Sequence, residues 1–432
     1  MGVSASKHGK TKDLIAMTTV PLIMVLGNSM LIPVLPQMKA ALELTQFQVS
    51  LTITLFSLSA GLIIPLAGFL SDRINRKAVL IPSLLLYGGG GLLAGIAAVA
   101  MDEPYPWIIV GRALQGLGAA GTAPIAMALL GDLFKGAAQS RALGLSESAN
   151  GMGKVISPIA GSLLGLMAWW TPFFVFPILC ALSALMVWRM VQEPEAKERP
   201  PTVREYVRSL GDIFRREGRW LFSAFFAGSS CLFVLFGILF YLSDWLETAY
   251  RIAGILKGGI LAIPLLGMVI TAYVTGVIIK KKGRLMKWLI IGGLLTLAAS
   301  LGGAVFVNSR FWFIALITAG AIGTGAVLPC LNSFITGAVR KAERGMITSI
   351  YGSVRFFGVA VGPPVFSWLM DISRTVMLTS VSVLVAVAAL LALLLIHPTK
   401  SGGNAKNVFG RTTAPLAASH LLRRRARGKV RL

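Results

Sequence analysis

Twelve stretches of about 20 mostly apolar residues recur along this 432-residue chain, and no other feature of the sequence restricts its fold as much. Bounded by charges or by clusters of proline and glycine, they run 14–36, 47–70, 79–100, 107–130, 142–166 and 168–190, then 220–243, 254–279, 286–307, 311–336, 346–370 and 375–397. A helix of that length crosses the hydrocarbon of a bilayer, whereas barrel strands would alternate in short segments. Composition closes off the soluble alternatives. Only 13% of the residues are charged and 55% are hydrophobic, against about 25% charged in soluble domains. A cytosolic enzyme, a disordered chain and a disulfide scaffold are excluded. The expected fold is all-α and integral to the membrane, with twelve transmembrane helices.

The net charge of +24 would suggest nucleic acid in a soluble chain; here it is read by position, because cytoplasmic loops collect Lys and Arg. With the N-terminus inside, only Lys39, Arg251, Lys257, Arg310 and Arg374 of the 41 basic residues fall outside, and Arg112, Lys154 and Arg355 fall within spans. The rest are internal. Both termini are therefore expected in the cytoplasm, with the spans in the plasma membrane. The first apolar run continues through Met30 without a clear cleavage site, so it reads as a retained span and not as a signal peptide. Cys180, Cys231 and Cys330 lie in apolar stretches without metal or redox spacing, so no metal, cofactor or nucleic-acid partner is expected.

The chain divides into a cytoplasmic N-terminus (1–13), a six-span unit (14–190), a polar cytoplasmic linker (191–219), a second six-span unit (220–397) and a basic tail (398–432). The linker carries Pro194, Pro200 and Pro201, and Val203–Phe214 is expected to form a short amphipathic helix along the inner surface. The tail reads as disordered, and its run Arg423–Arg427 suits anionic lipid headgroups. The two units echo each other. Gly68, Asp72, Arg73 and Arg76 recur at the same offsets as Gly276, Lys280, Lys281 and Arg284; Gly153 to Pro158 aligns with Gly358 to Pro363. Pseudo-symmetric duplication into two six-helix bundles follows.

Three motifs carry more. After span 2 comes Gly68-Phe69-Leu70-Ser71-Asp72-Arg73-Ile74-Asn75-Arg76-Lys77, a glycine for close packing, an acid within reach of an Arg or a helix end, and a basic anchor. Span 4 holds Gly111-Arg112-Ala113-Leu114-Gln115-Gly116, and an Arg inside a span costs ~2.5–3.5 kcal/mol and normally faces a cavity with a partner. Span 5 holds Gly144, Gly153, Ser157-Pro158 and Gly161, and span 11 Gly362-Pro363. Together these resemble the major facilitator superfamily, and span 5 resembles the antiporter motif of its bacterial drug/proton exporters. Asn75 stands where the family usually has glycine, and Ser157 and Ser162 replace two further glycines. The resemblance implies the major facilitator fold around a central cavity exposed alternately to the two sides, and it implies proton coupling for the Arg112 motif. It also implies a conformational role for Gly68, Asp72, Arg73, Arg76, Gly153, Ser157, Pro158, Gly161, Gly362 and Pro363.

Span 5 also carries Glu147, Asn150 and Lys154. At 100° per residue Glu147 and Lys154 lie about 20° apart on one face, while Gly153 and Ser157 point elsewhere. Glu147 is the sole acid well inside the spans, and so the expected proton carrier, with Arg112 and Lys154 as charged partners. Asn28 occupies the region of the first helix where several drug/proton antiporters have an acid. Asn28, Gln115, Asn150, Arg355 and the aromatic pair Phe233 and Phe236 are expected on the substrate cavity, and Asp244 and Glu247 are expected to face water at the outer end of span 7. The expected function is proton-coupled antiport, with a monomer exporting amphipathic or drug-like small molecules. The alternative is uptake or facilitated diffusion of a defined anion, which the three cations and one acid would suit. An enzyme is not expected, since no span pairs a His with an acid at ligand spacing.

Overall fold

The computed structural model describes residues 7–135, 137–193, 203–279, 282–338 and 344–396. The basic tail, the prolines of the linker, and Lys280 and Lys281 of the second repeat lie outside the described residues. The helices are α1 (Lys7–Ser29), α2 (Leu35–Ala41), α3 (Gln46–Arg73), α4 (Arg76–Ala100), α5 (Tyr105–Ala120), α6 (Ala123–Leu133), α7 (Ala137–Gly165) and α8 (Thr171–Met190). The second half holds α9 (Val203–Tyr250), α10 (Gly254–Ile279), α11 (Gly283–Ala304), α12 (Arg310–Ala338), α13 (Arg344–Ile372) and α14 (Arg374–Leu395). Among the described residues, eleven spans are long and apolar enough to cross a membrane. The twelfth segment, α7, matches them in length at 29 residues but carries Ser146, Glu147, Asn150 and Lys154. The chain is thus an all-α, multi-pass membrane protein.

Local sequence explains where helices start and break. Thr45 and Gln48 form a reciprocal capping box at the head of α3. The Glu193 carboxylate accepts the first backbone N–H groups of α4, from Arg76 at 2.6 Å and Lys77 at 3.0 Å, which satisfies helix-end donors with a charge of the favourable sign. Pro33 and Pro36 interrupt the first span, so a 3-10 turn at Ile32–Val34 separates α1 from α2. The fourth span breaks at Gly121 and Thr122, ahead of Pro124. Val203–Phe214 does not form a separate surface helix. It is the start of α9, a continuous helix of 48 residues, about 72 Å long and well over the hydrocarbon thickness.

The helix pairings of the first half recur in the second. α4 packs on α5 as α11 packs on α12, α3 on α5 as α10 on α12, α1 on α7 as α9 on α13, and α4 on α8 as α11 on α14. Glycines allow the closest of these approaches. A Cβ on Gly90 would lie 2.5 Å from the Gly111 carbonyl oxygen, and in the other half a Cβ on Gly293 would lie 2.5 Å from that of Gly323. The aligned Gly153 and Gly358 press on the first helices of their halves, at Leu22 and Val25 of α1 and at Ser229 of α9. Small residues let membrane helices approach closely where lipid gives no hydrophobic drive for association.

The halves meet along two seams, α3 against α13 and α7 against α10. They also close on one face of the slab, where Ser243 of α9 donates to the Ile32 carbonyl at 2.9 Å and Leu35 and Met38 join the core of the second half. The other face carries the loop from Asp72 to Arg76, and most of the described basic residues at helix ends and loops sort to it; it is called the basic face below. Gly111→Ala is expected to push α4 and α5 apart. The purified protein should lose about 1–3 kcal/mol of stability, read as a lowered midpoint in thermal unfolding, whereas Gly89→Ala, whose Cβ would meet nothing within 4 Å, should leave it unchanged.

Candidate functional site

α7 has three distinct faces. Leu145, Met152, Ile156, Ile159 and Leu163 are exposed hydrophobics on one side, the lipid stripe. Asn150 and Gly153 face α1: the Asn150 amide donates to the Pro21 carbonyl at 3.4 Å. Gly151 and Pro158 face α10, at Val269 and Gly258. Glu147 and Lys154 lie between these two packed faces, about 120–180° from the residues of the lipid stripe. They therefore look into the space between the two halves. Glu147 is exposed and Lys154 half-buried, so that space is open from the basic face, while the far face is closed.

Arg355 reaches the same space from the other half. Val361, Trp368 and Ile372 form the exposed lipid side of α13, Ser353 and Phe357 face α3 and Gly358 and Gly362 face α9. By helical geometry Arg355 points into the gap between α3 and α9, away from lipid. Its guanidinium sits over the Tyr351 ring at 5.4 Å. Lys154 lies within electrostatic range of both Glu147 and Arg355. Among the described residues neither cation makes a salt bridge, and the buried Nε of Arg355 has no hydrogen-bond partner. Glu147 and Lys154, about 10 Å apart along the axis, do not pair directly.

Arg112 is placed differently. It is fully buried within the first half. Its Nε donates to the Thr52 carbonyl (2.7 Å), Nη1 to the Gly27 carbonyl (3.2 Å) and Gln115 Oε1 (2.7 Å), and Nη2 to Asn28 Oδ1 (2.9 Å). The Phe56 ring lies 4.5 Å away. Asn28 and Gln115, expected on the cavity, are instead the cage of this cation, and every acceptor in the cage is neutral. The aromatic pair of α9 packs too. Phe233 lies against Phe366 with ring centroids 5.6 Å apart, and Phe236 is half-buried on the core of the second half.

At the basic face Arg76 joins Asp72 (3.2 Å) and Asp132 at the end of α6 (2.6 Å). Lys77 donates to the Trp188 and Val191 carbonyls at the end of α8, both at 2.7 Å, so the loop ties α3, α4, α6 and α8 together. Arg73 lies 4.7 Å from the Phe69 ring. Gly68 abuts Ser349 of α13 across the seam. Ser157 donates to the Gly153 carbonyl, Gly161 abuts the Met30 carbonyl, and Gly362 and Pro363 are buried against or near α9. Asp132 and Glu193 carry no motif in the sequence, which marks them only as acids just past the end of a span.

The exterior reading of Lys257 and Glu247 needs correction. Lys257 is 1% exposed and forms a salt bridge with Glu247. The first turn of α10 carries it inward beside Gly258, which packs on Pro158. Asp244 is partly buried and faces Lys39 and Gln46 of the first half, so it belongs to the closed face and not to open water.

The sequence signature of the Major Facilitator Superfamily matches residues 17–290 and 245–429. A bacillibactin exporter of Bacillus subtilis is 46% identical, over 83% of this chain and 90% of its own length. A class C tetracycline resistance protein of Escherichia coli is 28% identical over 72% and 77% respectively. Among solved structures, a bacterial homologue of the human lysosomal transporter Spinster, inward-facing and occupied, superposes with a TM-score of 0.71 at 16% identity, covering 91% of this chain and 98% of that one. A D-xylose–proton symporter gives 0.72 at 13% identity, covering 90% and 99%. These last two establish likeness of fold alone. Lys257→Met, which strands the Glu247 carboxylate, is expected to cost about 3–5 kcal/mol, measured by thermal unfolding. Lys257→Met with Glu247→Gln should recover most of that loss.

Proposed function

This chain belongs to the major facilitator superfamily, and on that premise we propose that it exports a small amphipathic molecule by alternating access, driven by protons that bind at Glu147. It is a membrane transporter and not an enzyme. Basic loops stay in the cytoplasm. The basic face is therefore the cytoplasmic one in this reading, the protein sits in the plasma membrane with both termini inside, and the chamber loads from within the cell. The 46% identical relative is an exporter by name, which supports the outward direction.

The observation that carries proton coupling is Glu147, an exposed carboxylate well inside a span that looks into the chamber and away from lipid. Cargo whose polar end is held by the carboxylate leaves when the carboxylate takes a proton, because protonation removes that attraction and leaves the chamber more positive beside Lys154 and Arg355. Proton and cargo then exclude each other, which is the condition for antiport. Lys154 acts as the switchable partner. Pro158 has no N–H to offer the Lys154 carbonyl, so the backbone that carries this lysine is loosened where it must respond. Arg112, caged by neutral groups, stays a fixed cation that holds α1, α3 and α5 in register.

A second reading is favoured by one observation, the two cations of opposite halves that lack partners among the described residues. An anionic cargo would satisfy Lys154 and Arg355 together. An anion and a protonated Glu147 favour each other, so proton and anion would travel together in the uptake direction. The two readings predict opposite flows. In vesicles reconstituted with the purified protein and acidified on the side away from the basic face, bacillibactin or ethidium loaded at the basic face should leave against its gradient. Glu147→Gln, a neutral stand-in for the protonated carboxylate, should slow this at least tenfold. Efflux indifferent to the pH gradient, or a Glu147→Gln protein that exports normally, would overturn the proton-antiport reading. Acid-driven entry of an organic anion, lost in Lys154→Met, would establish the second.

A further inference from the structure

Two prolines at the seam between α3 and α13 each leave a backbone carbonyl without its helical donor, and in each case a hydroxyl from the opposite half fills the gap. A residue at position i normally donates its N–H to the carbonyl of residue i−4. Pro65 on α3 cannot donate to Gly61, and Ser353 of α13 donates its hydroxyl to that carbonyl. Pro364 on α13 cannot donate to Ala360, and Thr54 of α3 donates to that carbonyl at 2.7 Å. The exchange is reciprocal: each half supplies one proline-freed acceptor and one hydroxyl. Inside hydrocarbon such a carbonyl must find a donor within the protein, and Ser and Thr side chains are the usual source.

The two bonds sit at different heights. Gly61 lies near the midpoint of the 28-residue α3, while Thr54 lies about 10 Å nearer the closed face. When the halves rock to open that face, the contact at mid-height stays near the pivot and the one at Thr54 separates. Water entering the opened face can then take over the Ala360 carbonyl.

We infer that Thr54 is a positioning residue of the transport cycle, a latch that biases the protein towards the state closed on this face, and that Ser353 is its pivot counterpart, which stabilises both states alike. Thr54→Val would leave the Ala360 carbonyl unsatisfied only while the face is closed, and so would move the population towards the open state. Ser353→Ala would lower stability without moving it. Pro364→Ala restores the N–H that Ala360 lacks and makes the Thr54 hydroxyl dispensable. This rests on the alternating-access part of the proposed function, and on neither Glu147 nor the identity of the cargo.

The test is a distance measurement between spin labels on cysteines introduced at Asp102, in the loop between α4 and α5, and at Arg310, the first residue of α12, one in each half on the closed face, in the full-length protein in lipid nanodiscs. No cargo or proton gradient is needed, so failure of the antiport reading leaves the result interpretable. Thr54→Val should enrich the long-distance population relative to the short one at least fivefold, Thr54→Ser should restore the original ratio, and Ser353→Ala should keep it while lowering the thermal midpoint. In a Pro364→Ala background, Thr54→Val should change the ratio less than twofold. A Thr54→Val protein with the original ratio, an equal shift in Ser353→Ala, or a Thr54→Val effect undiminished by Pro364→Ala would each overturn the inference. Should Thr54→Val fail to fold, Pro364→Ala alone decides it. A helical bond to Ala360 formed in both states removes the bias that Thr54 gives, and the ratio should rise; an unchanged ratio overturns the inference.

Discussion

Inside a bilayer a polar group finds its partner within the protein or goes without, and the architecture follows from how this chain meets that demand. Backbone groups are met by helices. Helix ends are met at the basic face by Glu193 on α4 and by Lys77 on the end of α8. Carbonyls freed by prolines are met by hydroxyls across a seam. Charges divide into two kinds. Arg112 and Lys257 are partnered, one by neutral acceptors and one by a carboxylate. Lys154 and Arg355 have no such partner among the described residues, and they lie within electrostatic range of each other.

That division separates structure from function. Partnered charges hold helices in place and lose that hold if disturbed. Those without a polar partner are free to take one, and a transporter needs such groups where its halves part. Glu147 lies near them, an exposed carboxylate on a face turned away from lipid. The duplicated pairing of helices puts one cation of this kind in each half, on the matching helices α7 and α13.

The sequence made the large-scale plan legible because membrane-length apolar runs and the basic loops between them are strong, local signals. Even α7, with the most polar face among the spans, is readable as a helix from its apolar window, and helical spacing places Glu147 and Lys154 on one face of it. Partners were harder to read. Asn28 and Gln115 look like polar cavity residues in isolation, and only the approach of α1 to α5 reveals them as the cage of Arg112. Lys257 resembles an exterior loop lysine because its place at the head of a span hides the inward turn of α10. Thr54 and Ala360 stand 306 positions apart, and nothing in either segment announces the other.

α9 runs for 48 residues without a proline, whereas α3, α4, α7, α8, α10, α12 and α13 each contain at least one. It carries Ser243, Asp244 and Glu247 near one end and reaches far past the hydrocarbon at the other. Such a rod behaves as a lever with its fulcrum inside the bilayer: a few degrees of tilt imposed on its projecting arm swing the opposite tip by several ångströms, which is the scale of motion that would part Ser243 from Ile32.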